Sequence, residues 1–283
     1  MNEVAVVAAS EDDVRAIARR RGFNEAGFRL TLELAERGTV WVARDDGEVV
    51  GIAIAHASEQ ERYVGDLFVE PSYRGQGIGR RLLEAAFTDA DDVTRAVLFD
   101  PADSAAYALA VGFGLSPGGT LARMAGAIPR EEELARMAAG DYRFKVADLD
   151  PAAHEVAVNA LDQEARGTTR MADHLYFSRN ATGQLYLLAS EPVAYSYVWP
   201  DGRIGPLVCA SQSYLVQILA YALVTLARRH RASWCTALIP GANLRISRAA
   251  LRAGLRFEKH YVLATDASLG DLSTYIGCDE PLF

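Results

Sequence analysis

The sequence is poor in cysteine, and this scarcity argues against two kinds of cross-linked framework, one held by disulfides and one by zinc. Cys209, Cys235 and Cys278 are widely spaced among the 283 residues and lie in apolar segments. Such a distribution favours buried free thiols in a reducing compartment over a disulfide framework or a structural zinc site. We therefore expect no bound metal.

Long hydrophobic runs and a basic leader are also missing. The most apolar helical pattern, Leu215 to Ala227, is shorter than the about 20 residues that span a bilayer. No basic region precedes the apolar run from Val4 to Ala9, so no signal peptide is predicted. We expect a cytoplasmic protein without a membrane partner.

Positive charge is not in excess, since the formal net charge is −8. Nucleic acids are bound by clustered Lys and Arg, so this balance argues against a nucleic-acid partner and is compatible with a cationic amine substrate. With 50% hydrophobic and 23% charged residues, the composition is that of a globular protein. The length of 283 residues is sufficient for two domains.

The strongest local pattern runs from Val64 to Phe87 and predicts a strand, a glycine-rich turn and a helix. The apolar run from Leu67 to Val69 ends before Pro71, which offers no N–H to a ladder. Helical spacing then places apolar side chains on one face of the next segment, at Ile78, Leu82, Leu83 and Ala86.

The turn between them contains Gly75, Gly77 and Gly79. Glycines let the backbone approach a ligand closely, and the unpaired amides of a first helical turn suit a phosphate or pyrophosphate. The spacing Gly-x-Gly-x-Gly without a following Gly-Lys-Ser/Thr excludes both the dinucleotide and the P-loop fingerprints. A tight turn with helix-capping glycines is the alternative interpretation.

Arg74, Gly77 and Gly79 fill the Arg/Gln-x-x-Gly-x-Gly/Ala signature of the GNAT superfamily of N-acetyltransferases. The preceding Asp66-Leu67-Phe68-Val69-x-Pro71 also resembles that family. The resemblance implies acetyl-CoA as cosubstrate, with its pyrophosphate on the turn amides and its pantetheine arm against the strand end. The cofactor-binding residues so implied are Leu67, Phe68, Val69, Arg74, Gly75, Gln76, Gly77, Ile78, Gly79 and Arg80.

The first half, read as β-α-α-β-β-β-α-β-α-β, resembles the GNAT topology. Ser10 is predicted to cap the first helix, and Asp45-Asp46-Gly47 to join a hairpin. Pro129 and the charged residues after it predict a connector with a short solvated helix.

The second half repeats this outline, with Asp150-Pro151 predicted to open its first helix and Asn243 to cap its last. We therefore predict an α/β protein of two tandem GNAT-like domains, each a mixed, mostly antiparallel sheet flanked by helices. The domains are 1–128 and 142–283, with a linker at 129–141.

The second domain is predicted to be degenerate. Cys209 to Tyr214, at the place of the glycine turn, contains no glycine or arginine. The helix that follows is apolar nearly all round, which predicts packing against the first domain or another subunit. A monomer with pseudo-dimeric lobes and a homodimer are both expected states.

Acetyl transfer to an amine requires that the amine lose a proton, the carbonyl be polarised and the leaving thiolate be protonated. The family often protonates the thiolate with a tyrosine, whose place here holds Ala108. Tyr107, one residue early and about 100° round the helix, is a candidate acid or a core residue. Asp66 matches the family aspartate and is a candidate substrate contact or a stabiliser of the strand–helix junction.

No general base is evident, because Gly65 occupies the place where some relatives have a glutamate. Tyr63 and His56 are weaker candidates, and such strand-end residues are usually structural. The resemblance implies an acetyl-CoA-dependent N-acetyltransferase that acts by direct transfer on a small-molecule or peptide amine. The alternative is a CoA-binding protein of the same fold that is non-catalytic or regulatory.

Overall fold

The chain folds into two compact units in a computed structural model that describes residues 4–90 and 92–283. Unit 1 comprises the residues up to Gly118 together with Val262–Ala267, and unit 2 comprises Gly119–Tyr261 and Ser268–Phe283. Within the described ranges, no helix has both the length and the apolarity that crossing a membrane requires.

Unit 1 contains four helices and a mixed sheet. In chain order its elements are β1 (Ala5–Ala8), α1 (Glu11–Arg21), α2 (Glu25–Glu36), β2 (Val40–Asp45), β3 (Glu48–Ala57), β4 (Glu61–Val69), a 3-10 turn (Pro71–Tyr73), α3 (Ile78–Ala86), β5 (Thr94–Phe99), α4 (Ser104–Gly112) and the start of β6 (Ser116–Ala127).

The sheet of unit 1 runs in the order β1-β2-β3-β4-β5 and is completed by a segment from far along the chain. Pairs β1–β2, β2–β3 and β3–β4 are antiparallel, whereas β4 and β5 are parallel. Residues 262–265 then pair antiparallel with β5, with Val262 opposite Phe99. The predicted mixed, mostly antiparallel sheet is confirmed.

Local sequence signals place the first elements of unit 1 as predicted. The Ser10 hydroxyl accepts from the Asp13 amide, and the Asp13 carboxylate accepts in return from the Ser10 amide at 2.7 Å. This capping box opens α1. Asp46 and Gly47 both have positive φ, of 47° and 86°, which suits the tight two-residue turn between β2 and β3.

Helix α3 covers the sheet of unit 1 with the apolar face that its spacing predicts. Ile78, Leu82, Leu83 and Ala86 are all buried. They belong to one cluster with apolar strand residues such as Val64 and Val97. This packing fixes the start of α3 beside the end of β4.

Strands β4 and β5 pair over only part of their length. The parallel register joins Glu61–Val64 to Thr94–Val97. Beyond Val64, β4 continues to Val69 in register with β3 alone, in the part of unit 1 that the structure describes. The end of β4 therefore presents an open backbone edge on the side of β5.

Unit 2 has the same kind of architecture. Its elements are β6 from Gly119 onward, α5 (Glu131–Ala138), β7 (Lys145–Asp148), α6 (Glu155–Arg166), α7 (Met171–Asn180), β8 (Thr182–Leu188), β9 (Glu191–Val198), β10 (Arg203–Cys209), α8 (Leu215–Arg229), β11 (Trp234–Pro240), α9 (Leu244–Arg252), β12 (Arg256–Thr265) up to Tyr261, β13 (Tyr275–Ile276) and 3-10 turns at Leu272–Thr274 and Glu280–Leu282.

The sheet of unit 2 includes the order β7-β8-β9-β10-β11-β6, with β10 and β11 parallel and the other pairs antiparallel. Parallel pairing joins only Arg203 and Ile204 to β11. Further along β10, Leu207 and Val208 pair instead with β13. In unit 1 the backbone edge at the end of β4 is open, whereas in unit 2 the corresponding edge of β10 is paired with β13.

The compact units divide the chain differently from the predicted boundary at residue 128. Residues 121–127 of β6 pair with β11, so this strand belongs to unit 2. The predicted linker 129–141 contains α5, whose Leu134 is buried in the core of unit 2. The predicted short helix is present, and Glu131, Glu132, Ala135 and Arg136 are exposed, but its Leu134 side packs on unit 2, so the segment is part of that unit.

Two further predictions in the second half need correction. Helix α6 begins at Glu155, because Asp150 accepts hydrogen bonds from the amides of Ala152 and Ala153 and holds a separate turn. Helix α8 packs on α5, α9, β9 and β10, so its apolar surface is covered within its own unit.

Candidate functional site

A groove of about 290 Å³ in unit 1 lies where β4 ends and α3 begins, and α4 forms its other wall. Of the residues predicted to bind cofactor, all but Phe68 and Gln76 line it. The full lining is Leu67, Val69, Tyr73, Arg74, Gly75, Gly77, Ile78, Gly79, Arg80, Asp103, Ala105, Ala106 and Leu109.

The glycine turn adopts a backbone that other residues rarely enter. Gly75 and Gly77 both have φ of 77°, and Gly77 is the N-cap residue of α3. No side chain of the described residues caps this helix start. Gly77, Ile78 and Gly79 line the groove, so an uncapped helix start lies at its wall, and such a helix start is the arrangement that binds anions.

Two guanidinium groups add positive charge to the groove. Arg74 donates from Nε to the carbonyl of Val69 at 3.0 Å and so ties the turn to the end of β4. The Arg80 guanidinium lies 5.5 Å from the ring centre of Phe113. Asp103 is the one carboxylate of the lining, and it caps α4 by accepting from the amide of Ala106 at 2.9 Å.

Tyr73 is a groove residue that the sequence interpretation missed. Its hydroxyl donates to Asp45 Oδ2 at 2.9 Å, and this hydrogen bond raises the pKa of the Tyr73 phenol above its ordinary value. The sequence did offer an indication of this position, because Tyr73 directly precedes Arg74 of the signature. The wall formed by Ala105, Ala106 and Leu109 was not predictable, because the short helix has no marked amphipathic pattern.

Tyr107 does not line the groove. Its side chain is 47% exposed, and its ring packs edge-on against Phe99 with 6.0 Å between ring centres. Its helix neighbours Ala106 and Leu109 do line the groove, so the one-residue offset turns the hydroxyl away from that wall. Its role as the acid stays a prediction.

Asp66 also lies outside the groove lining, and its carboxylate forms an ion pair with Arg21 at the end of α1. Both side chains are about one-quarter exposed, at 23% and 25%. The Arg21 guanidinium stacks over the ring of Phe68, 4.8 Å from its centre. Side chains alternate along a strand, so Phe68 points to the opposite face of β4 from Leu67 and Val69, which line the groove.

His56 and Tyr63 are buried and face each other across β3 and β4. His56 Nδ1 lies 4.0 Å from Oε2 of Glu61, another buried residue. Neither lines the groove. Gln76 donates to the carbonyl of Ser72 at 3.4 Å and braces the turn from outside.

The corresponding turn of unit 2 is built from side-chain contacts instead of glycines. Ser211 Oγ lies 2.8 Å from Ser213 Oγ and accepts from the Ser213 amide at 3.2 Å. Asn243 caps α9 as predicted, accepting from the Ile246 amide at 3.2 Å. Unit 2 therefore lacks the glycine turn of unit 1 at this position.

Comparison with known proteins agrees with this geometry. Residues 36–112, which include the glycine turn and every residue that lines the groove, match the family model described as an acetyltransferase (GNAT) domain. The matched segment extends from the end of α2 to the end of α4. The predicted resemblance to the GNAT superfamily is confirmed.

Solved structures extend the likeness to the whole chain. A candidate acetyltransferase from Pyrococcus horikoshii superposes with a TM-score of 0.72 at 19% identity, over 100% of this chain and 97% of that one. A tandem GNAT protein from the clavulanic acid biosynthesis pathway gives 0.63 at 18%, over 94% and 98%. A GCN5-related N-acetyltransferase from Sphaerobacter thermophilus gives 0.63 at 17%, over 99% and 98%. At these identities the likeness establishes the fold, a tandem pair of GNAT-like domains.

Proposed function

We propose that this protein is an acetyl-CoA-dependent N-acetyltransferase whose working site is the groove of unit 1. The observation that carries the proposal is the juxtaposition of an uncapped helix start, shaped by Gly75 and Gly77, with the open edge of β4. A pyrophosphate fits the first feature, and an extended amide-bearing arm fits the second.

Each part of the cosubstrate has a matching part of the groove. The amides at the start of α3 would hold the pyrophosphate, and Arg74 and Arg80 would balance its charge. The open edge from Leu67 to Val69 would hydrogen-bond the amides of the pantetheine arm, as a neighbouring strand would. Held in this way, the thioester would lie toward the gap between β4 and β5.

The proposed reaction is a direct transfer. The amine nitrogen attacks the thioester carbonyl carbon, the C–S bond breaks, and the acetyl group stays on nitrogen. A backbone N–H near Val69 would stabilise the developing oxyanion, and the amine gives its proton to water or a base. Tyr107 is the candidate donor to the leaving thiolate, and Asp66 is the candidate contact for the acceptor amine.

The acceptor is proposed to be a small-molecule or peptide amine, and the protein to act in the cytoplasm. Unit 2 is proposed to complete the protein as a degenerate GNAT-like domain, either in a monomer or in a homodimer. The competing proposal is a CoA-binding protein without transferase activity, which the absence of a tyrosine at position 108 favours. Release of free thiol with a panel of amines separates the two.

Binding of acetyl-CoA is the first expected result. At 100 times its dissociation constant, the ligand should add about 2.7 kcal/mol to the stability of the unit that binds it. Thermal unfolding with and without acetyl-CoA measures this effect. If neither acetyl-CoA nor CoA at millimolar concentration raises the melting temperature, the proposal fails.

Tyr107→Phe tests the proposed acid, because it removes one hydroxyl and keeps the ring on Phe99. General acid catalysis typically contributes about 10²–10⁴-fold, so turnover should fall by that order while acetyl-CoA affinity stays unchanged. Tyr221→Phe, in helix α8 of unit 2, is the matched control. A fall of only a few-fold in turnover would assign Tyr107 to packing alone.

A further inference from the structure

A second and larger groove lies in unit 2, along helix α9. Its volume is about 620 Å³, within the range of roughly 300–1,000 Å³ that small-molecule sites occupy. One wall is α9, and residues of α5 and of the segment that opens α8 contribute the rest.

Three arginines of α9 line this groove, Arg245, Arg248 and Arg252. At about 100° per residue they fall within about 60° of one another round the helix, so they share one face. All three are exposed. Within the described part of the chain, no side-chain hydrogen bond or ion pair engages any of these guanidinium groups.

The groove is positively charged in a protein that is negative as a whole. Glu133 is the one carboxylate among the residues that line it. Three guanidinium groups and one carboxylate leave a net of two positive charges, against −8 for the whole chain. Such a local reversal of sign concentrates anions.

The remaining lining is mostly apolar, with Met137, Val216, Leu244 and Ala249 among its members. Leu244 is 55% exposed at the start of α9, so apolar surface lies beside the arginine face. A ligand that satisfies both features carries anionic groups together with an apolar or aromatic body.

We propose that this groove binds a small molecule with at least two phosphate groups and an aromatic or apolar body, such as a nucleoside diphosphate. Arg245 and Arg248 lie about one helical turn apart, so both can donate bidentate hydrogen bonds to one pyrophosphate. Arg252 extends the same face for a further phosphate, and the apolar lining contacts the body of the ligand.

This site is a binding site rather than a second catalytic centre. In unit 2, β13 occupies the edge of β10, and Gly277 bridges to Leu238 of β11. A ligand along α9 therefore has no open strand edge beside it. The inference goes beyond the proposed acetyl transfer and does not depend on it, because all its residues belong to unit 2.

Isothermal titration of the full chain tests the proposal, with ADP, CoA and inorganic pyrophosphate as probes. Gly77→Val serves as the background, since it blocks the groove of unit 1. ADP should bind at one saturable site, and its affinity should fall as salt screens the guanidinium charges. If none of the three probes binds at millimolar concentration, the proposal is overturned.

Arginine substitutions in the same background locate the site. Arg248→Glu, and separately the pair Arg245→Gln with Arg252→Gln, should each weaken ADP binding by about tenfold or more, because each removes charge-assisted hydrogen bonds. Arg179→Gln, an exposed arginine on α7, is the control and should bind normally. Binding that survives both arginine variants unchanged overturns the assignment.

The unmodified protein keeps the two proposals separate. Arg248→Glu in that protein should leave the acetyl-CoA thermal shift of unit 1 intact. If the unmodified protein shows no acetyl-CoA shift but binds ADP in an arginine-dependent way, the proposed transferase is contradicted and the second site is supported. If it shows the acetyl-CoA shift but no arginine-dependent ADP binding, only the second site is contradicted.

Discussion

Replacing Gly77 by valine should abolish the stabilisation of unit 1 by acetyl-CoA and leave the unliganded protein folded. Gly77 has φ of 77°, and a left-handed conformation costs a non-glycine residue about 1–2 kcal/mol. That cost is small beside a typical stability of about 5–15 kcal/mol. The fold should therefore persist at a lower melting temperature.

The loss of binding has a separate cause. A Cβ at position 77 meets no protein atom within 4 Å, so the added side chain enters open space at the groove lining. A β-branched side chain there keeps a phosphate from the helix amides. Thermal unfolding of Gly77→Val combined with Arg248→Glu, which also disables the arginine groove of unit 2, should show no shift with saturating acetyl-CoA, and turnover should already disappear in Gly77→Val alone.

Gly38→Val is a matched control for this experiment. Gly38 has φ of 76°, and a Cβ there also meets nothing within 4 Å, but it lies between α2 and β2 outside the groove lining. It should lose similar stability and keep the full acetyl-CoA shift. A shift retained by Gly77→Val combined with Arg248→Glu, or lost equally in both glycine variants, would contradict the assignment of the glycine turn.

Replacing Asp162 by asparagine should destabilise unit 2 by about 3–5 kcal/mol, the cost of leaving a buried charge without its partner. The Asp162 carboxylate is fully buried. Its Oδ2 lies 2.8 Å from His174 Nε2, and its Oδ1 accepts from the Tyr195 hydroxyl and from Arg170 at 3.4 Å. Asparagine keeps the shape but removes the charge that faces the Arg170 guanidinium.

The same carboxylate should make the stability of unit 2 depend on pH. Burial raises the pKa of Asp162, but the charge of Arg170 and the hydrogen bonds from His174 and Tyr195 outweigh it, so its pKa lies below the ordinary value. A lowered pKa in the folded state contributes stability above the unfolded pKa of about 3.9, and this stability is lost as pH falls further.

Urea unfolding at pH 7 and in a series below pH 5 measures both effects. Asp162→Asn should be less stable at pH 7 and should lose less stability than the unmodified protein on acidification. Asp148→Asn is the control, because the Asp148 carboxylate is 80% exposed in its pair with Arg229. An effect of Asp162→Asn no larger than that of this control would contradict a structural role for the buried cluster.

Short-range signals explain what the sequence predicts well. The glycine turn, the Ser10 cap and the Asp46-Gly47 hairpin each depend on residues within a few positions of one another. Their backbone requirements can therefore be read directly from residue types. Most of the groove follows from these signals, because the turn fixes where α3 starts.

Long-range pairing explains what the sequence does not predict. Nothing in the pattern of residues 262–265 indicates that they complete the sheet of unit 1 rather than that of the second domain. The Asp162 cluster likewise joins side chains from α6, α7 and β9 that are distant in sequence. Asp150-Pro151 misled the prediction for a different reason. An aspartate before a proline can cap a helix or a separate turn, and here it caps a turn that precedes α6.

The distant origin of the last strand of unit 1 has a consequence for synthesis of the protein. β5 leaves the ribosome long before residues 262–265, which pair with it. At about 5–20 residues per second, the interval is on the order of ten seconds. During that time the nascent sheet keeps β5 as an unprotected edge, the feature through which strands of separate chains associate. Unit 1 thus becomes complete only after residues 262–265, far beyond β5 in the chain, have been made.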